Sequence, residues 1–67
     1  MSPQRLSALL TRLREEQGLT QLELAKKTGV AQGYISALEA GDKNNPSVAV
    51  IRKLAKGLGV PITELLG

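Results

Sequence analysis

The chain contains no cysteine, histidine, tryptophan or phenylalanine. Each absence closes a route. Without cysteine, no disulfide can staple a small fold, and without cysteine or histidine the usual zinc ligands are gone, so neither a metal site nor a cofactor is expected. Tyr34 is the single aromatic residue. That excludes the multi-ring platform on which single-stranded nucleic acid stacks, and it makes the core aliphatic. No apolar run approaches the roughly 20 residues of a membrane-spanning helix, and no signal-peptide pattern is visible. Together with the lack of cysteine, this fits a cytoplasmic protein. Catalytic chemistry also lacks its parts. Glu15 and Glu16 fall on a solvated helix face and Glu23 is a capping residue. No nucleophile–base pair, metal cluster or phosphate-cradling glycine loop accompanies them, so an enzyme is not expected.

What remains is a short aliphatic chain with a basic balance. Its 67 residues are 42% hydrophobic, enough for one domain over residues 1–67, although only roughly 60% of the unfolded surface is buried at this size. The net charge of +3 and the pI of about 9.7 suit a polyanionic partner, a property shared with many small domains.

In chain order, Ser2 and Pro3 provide an N-cap and a first helical residue. Leu6, Leu9, Leu10 and Leu13 then follow the i, i+3, i+4, i+7 spacing of one buried helix face, and Gly18 stops it. Thr20 and Glu23 form a capping box, with Leu19 and Leu24 as its hydrophobic staple. The second helix is expected over Gln21 to Thr28, and a third over Gln32 to Ala40, stopping at Gly41. The start of the third is poor, because Ala31 cannot cap it and Gly33 lowers helix propensity by up to ~1 kcal/mol relative to alanine. Asp42 to Asn45 is a polar loop. Ser47 caps a fourth helix whose buried face is Val50, Ile51, Leu54, Ala55 and Leu58. Gly59 ends it, and Pro61 starts a last short helix through Leu65 and Leu66. The fold class is therefore all-α, with five short helices.

Gln21 to Ala40 is the informative stretch. Ala25 is small enough to let another helix cross closely, and Gly29 supplies the positive φ that ends a helix. Ile35 and Leu38 place one apolar stripe of the third helix against the second. The other side of that helix carries Gln32, Gly33, Tyr34, Ser36 and Ala37, a slim, polar face suited to approach base edges and phosphates.

The segments LREEQGLTQxELA at 13–25, GVxQxYISxLE at 29–39, Gly41, NPS at 45–47 and LAKxLGV at 54–60, in this order, resemble the phage repressor and Cro-like helix-turn-helix domains, the XRE-type family. The resemblance runs from about Leu6 to Leu66. It implies a compact five-helix repressor-like domain whose third helix enters the major groove of double-stranded DNA, commonly as a two-fold dimer on a near-palindromic operator. It further implies roles by position. Thr20 and Gln21 begin the second helix, where a phosphate meets a helix N-terminus. Gln32 is the candidate for bidentate contact with adenine. Tyr34 and Ser36 are expected at phosphates or base edges, and Lys43, Asn44 and Asn45 at the backbone. Arg14 and Glu39 match an ion pair joining the first and third helices. Gly33 and Ala37 stand where many relatives carry long base-reading side chains, so they offer close approach and, for Ala37, a methyl contact to thymine. The loop before Pro46 is one residue longer than the common spacing, and Leu22 replaces a usually polar position.

Two functions are compatible with this pattern. One is a sequence-specific transcriptional regulator, most simply a repressor, with Val48, Pro61, Ile62 and Leu66 as candidate homodimer contacts. The other is a protein-binding module on the same fold, such as an antitoxin or a regulator adaptor, favoured by Leu22, Gly33, Ala37 and the thinly basic loop.

Overall fold

A computed structural model describes residues 3–43 and 45–66. The described residues form five helices and the short connections between them: α1 (Pro3–Glu16), α2 (Gln21–Thr28), α3 (Gln32–Ala40), α4 (Val48–Leu58) and α5 (Ile62–Leu66). The expected cap at Ser2 lies outside them. None of these helices is long and apolar enough to cross a membrane.

Local chemistry sets the boundaries. The Thr20 hydroxyl accepts from the Glu23 N–H at 3.0 Å, and the Glu23 carboxylate accepts from the Thr20 N–H at 2.8 Å. The capping box is thus complete, and the backbone bond to Thr20 holds the Glu23 carboxyl below its ordinary range. At the other end of α2, Gly29 adopts φ +78° and returns its N–H to the Ala25 carbonyl, a conformation costly to residues bearing a Cβ. The Ser47 hydroxyl caps α4 by accepting from the Val50 N–H at 3.2 Å. Helix α5 begins one residue later than expected. The Pro61 carbonyl accepts from the Glu64 N–H at 3.0 Å, so Pro61 acts as the cap rather than as the first helical residue.

The core is wholly aliphatic: Leu6 and Leu10 from α1, Leu24 from α2, Val30 from the turn, Ile35 and Leu38 from α3, Ile51, Leu54, Ala55 and Leu58 from α4, and Leu65 from α5. Val50 is only half-buried at its edge. Helix α3 packs on α1 and α2, α4 packs on α2 and α5, and α5 closes back on α1. One approach is very close. A Cβ built on Gly57 of α4 would lie 2.3 Å from Thr28 Cγ2. Thr28 cannot readily turn aside, because its hydroxyl donates to the Leu24 carbonyl and accepts from the Val30 N–H. One residue further along α4, the Leu58 carbonyl accepts from the Gln17 side chain at 2.6 Å, joining the end of α1 to the end of α4.

The charged element of the framework is the expected Arg14–Glu39 pair. Arg14 Nε lies 2.7 Å from Glu39 Oε2 and Nη2 lies 2.9 Å from Oε1, while Nη1 donates to the Leu19 carbonyl at 2.8 Å. Only 14% of the Arg14 side chain and 6% of the Glu39 side chain is exposed. Burial pushes the Glu39 carboxyl up, but hydrogen bonds from Arg14 and Gln21, with the Arg14 charge, outweigh it and hold the group below its ordinary value.

Two outcomes follow. Gly57→Ala gains helix propensity but forces an overlap, and overpacking typically costs about 1–3 kcal/mol. The variant should lose about 1 kcal/mol in urea denaturation, and adding Thr28→Ser, which removes Cγ2 but keeps the hydroxyl, should restore most of it. Because the Glu39 carboxyl is depressed by folding, its stabilisation is complete above the unfolded value of about 4.3 and is lost as pH falls through the folded value. Glu39→Gln should therefore cost about 1.5–3 kcal/mol at pH 7. The gap between wild type and variant should close as denaturation is repeated at progressively lower pH.

Candidate nucleic-acid interface

The side of α3 turned away from Ile35 and Leu38 is open. Gln32, Gly33 and Ser36 are exposed, and Tyr34 and Ala37 are half-buried at its flanks. A Cβ added to Gly33 would meet nothing within 4 Å. Nothing inside the protein therefore requires a glycine there, and its effect is to keep the first turn of α3 slim. The Ala31 side chain gives no cap, as expected. Its carbonyl still accepts from the Tyr34 and Ile35 N–H groups, so the turn closes through the backbone. The N–H groups of Gln32 and Gly33 have no acceptor within the helix and lie at its positive end.

Helix α2 brings a second N-terminus to this region through Glu39. The Gln21 side chain donates from Nε2 to Glu39 Oε1 at 3.1 Å, so the carboxylate that holds Arg14 also holds Gln21. One of the two amide hydrogens of Gln21 is used in this way, which leaves one for an external acceptor. The hydroxyl oxygen of Thr20 is occupied as the α2 cap, but its O–H is a donor still to be placed. The spacing of the sequence gives no sign of the Gln21–Glu39 bond.

The loop after α3 makes a contact that the sequence does not announce. Lys43 Nζ sits 5.0 Å from the centre of the Tyr34 ring, within the roughly 6 Å range of a cation–π interaction. The ring thus places the ammonium group at the end of the α3 ridge. Asn45 is exposed nearby in sequence, and Asn44 lies outside the described residues. The cations in this neighbourhood are few. Arg14 is committed to Glu39, and Asp42 is exposed beside Lys43 in the chain.

Of the four expected pairing residues, two line hollows, and the hollows are different. Val48 is 55% exposed on the outer side of α4, where it lines a hollow with Ala49, Arg52, Lys53 and Lys56. Pro61 lines a different hollow with Arg5, Leu9, Arg12, Thr63 and Glu64. Leu66 is exposed, whereas Ile62 is half-buried against the core. Leu22 is exposed on α2.

A slim polar ridge, two helix N-termini and a ring-held lysine form a set that can hydrogen-bond base edges and phosphates within a groove about 12 Å wide. Comparison with known proteins agrees with this geometry. The helix-turn-helix family profile matches residues 10–65, and the chain belongs to that family. It is 47% identical over 55 residues to the uncharacterised HTH-type transcriptional regulator y4dJ of Sinorhizobium fredii, covering 82% of this chain and 70% of that protein. It is 40% identical over 53 residues to the HTH-type transcriptional regulator SinR of Bacillus subtilis, covering 79% of this chain and 48% of SinR. The chain thus spans about half the length of SinR. Among solved structures, the complex of SinR, the master regulator for biofilm formation, with DNA superposes with a TM-score of 0.88 at 34% identity, over 92% of this chain and 98% of that one.

The Tyr34–Lys43 contact has a direct check. Tyr34→Phe keeps the ring and should leave the Lys43 side-chain protons shifted upfield by its ring current in NMR spectra. Tyr34→Leu should return them to the position of a solvated lysine. A Tyr34→Leu/Lys43→Ala cycle should give a coupling of about 0.5–1 kcal/mol in stability.

Proposed function

We propose that this chain is a DNA-binding transcriptional regulator acting as a repressor in the cytoplasm, with α3 seated in the major groove of double-stranded DNA. The observation that carries this reading is the exposed, slender polar side of α3, flanked by the N-terminus of α2. Membership of a helix-turn-helix family and the likeness to a DNA-bound relative support it. Gln32 is the base-reading residue, its amide donating to N7 and accepting from N6 of an adenine. Gly33 and Ala37 let the duplex come close, and Ala37 offers its methyl to thymine. Tyr34 and Ser36 supply hydroxyls to phosphates or base edges. Thr20 and Gln21, at the start of α2, take a phosphate on the opposite side, and Lys43 with Asn44 and Asn45 takes another beyond the end of α3. With so few long side chains on the ridge, DNA shape and bridging water carry part of the specificity.

A near-palindromic operator follows if two copies pair about a two-fold axis, with the α3 helices about 34 Å apart. The exposed Pro61 and Leu66, with the outer edge of Ile62, form the pairing surface in this reading. Val48 belongs to a different surface, considered below.

Selection from random duplex DNA should return a two-fold symmetric base preference. Gln32→Ala should weaken binding to the selected site by about 1–3 kcal/mol and relax the preference at one position per half-site. Lys43→Ala should weaken all sequences alike and reduce the slope of log affinity against log salt by about one. A Gln32→Ala protein with unchanged affinity and base preference would remove Gln32 from its assigned role.

A further inference from the structure

The outer side of α4 has no part in the reading above. Val48, Ala49, Arg52, Lys53 and Lys56 follow i, i+1, i+4, i+5, i+8 spacing, a single stripe opposite the buried Ile51, Leu54, Ala55 and Leu58. They line one shallow hollow of about 530 Å³. Helix α4 carries no acidic residue. Among the described residues, none of the three cations forms an ion pair. Val48, at 55% exposure, is the most exposed of the large hydrophobic side chains described, more so than Leu22 at 48% or Leu66 at 39%.

A solvated basic helix face accounts for the three cations, but it leaves the exposed valine beside them unexplained. We propose that this stripe is a docking surface for a protein partner that presents an acidic amphipathic helix, apolar side chains toward Val48 and Ala49 and carboxylates toward Arg52, Lys53 and Lys56. Charge selects the occupant. A second copy paired two-fold through the middle of this stripe would set Arg52 and Lys53 against their own copies, and like charges across an interface repel. A DNA strand would match the cations, yet its phosphates would gain nothing from Val48 and Ala49. Helix α4 packs chiefly on α2 and α5. From Val48 to Lys56 the stripe is about 12 Å long at 1.5 Å per residue, a length that two to three turns of a partner helix cover. The long basic side chains suit such a site, since their stems add apolar contact while their heads reach carboxylates.

The test titrates three probes into the isotope-labelled chain and follows backbone amide shifts. The first is a twelve-residue peptide with leucines at helical spacing and glutamates elsewhere. The second has alanine in place of every leucine at the same charge, and the third is a short duplex of random sequence. The leucine peptide should shift residues 48–56 and bind at least several-fold more tightly than the alanine peptide. Arg52→Glu with Lys53→Glu should weaken it about tenfold, and Val48→Ser several-fold, both in proteins with wild-type spectral dispersion. The proposal fails if no shifts centre on 48–56, or if the alanine peptide binds equally well. It also fails if the duplex shifts 48–56 as strongly as the leucine peptide, or if those residues shift with protein concentration alone, as a second copy would cause.

Discussion

The position of α3 depends on the Glu39 carboxylate. It lies in the last turn of α3, accepts two bonds from the Arg14 guanidinium of α1 and one from the Gln21 amide of α2, and is almost wholly removed from water. Arg14 extends the connection to the Leu19 carbonyl in the α1–α2 turn, and the Ser7 hydroxyl of α1 donates to the Glu39 carbonyl. Three helices are thus referred to one residue. An apolar pair of similar size would fill the same space, and often with no loss of stability, but it would not fix a direction. The planar fork of arginine does, since its donors meet the two carboxylate oxygens and a carbonyl at set angles. The same carboxylate then ties the start of α2 to the last turn of α3.

Intrinsic propensity does not explain α3. Its cap residue makes no side-chain bond, and its first turns contain Gly33, Tyr34, Ile35 and Ser36, none a strong helix former. The helix exists because Ile35 and Leu38 are fully buried against Leu24, Val30 and the α1 leucines. Burying two such side chains contributes about 3–6 kcal/mol at 1.5–3 kcal/mol each, against about 1 kcal/mol lost at the glycine. Packing on one side therefore frees the other side from any duty to the fold. This is why a glycine there can meet empty space and still be compatible with a stable domain.

The same distinction separates what was legible in the sequence from what was not. The bounds of α2, α3 and α4 follow from Thr20 with Glu23, from Gly29 and Gly41, and from Ser47 and Gly59, because each acts within four residues of itself. The core leucines follow from helical spacing for the same reason. Contacts between elements have no such local signature. Gln21 reaches Glu39, Lys43 reaches Tyr34 across a helix end, and Gly57 meets Thr28. Each requires the crossing of two segments to be known first. Arg14–Glu39 is of this kind as well, and it was anticipated only through the family resemblance. Surface grouping has no local signature either: Val48 and Pro61 are both exposed and line separate hollows.

The distribution of charge ties these surfaces together. Nine basic and six acidic residues give +3 overall, but the excess is not spread evenly. Arg14 is neutralised by Glu39 and Arg12 lies beside Glu16. Lys26 and Lys27 stand at the end of α2 farthest from Gln21, and three further cations lie on α4. Arg5, on α1, donates to the Glu64 carbonyl of α5. That leaves Lys43 as the described cation attached to the α3 ridge. Phosphate neutralisation supplies much of the affinity of most DNA-binding proteins, and a ridge with one such lysine has little of that term to draw on. In the proposed reading, its binding energy comes from short-range hydrogen bonds and close fit, which depend on how rigidly the ridge is held. The burial of Glu39 and the stacking of Lys43 on Tyr34 both increase that rigidity. Where net charge is sparse, geometry has to supply the binding, and in this chain the geometry is fixed from behind the surface it serves.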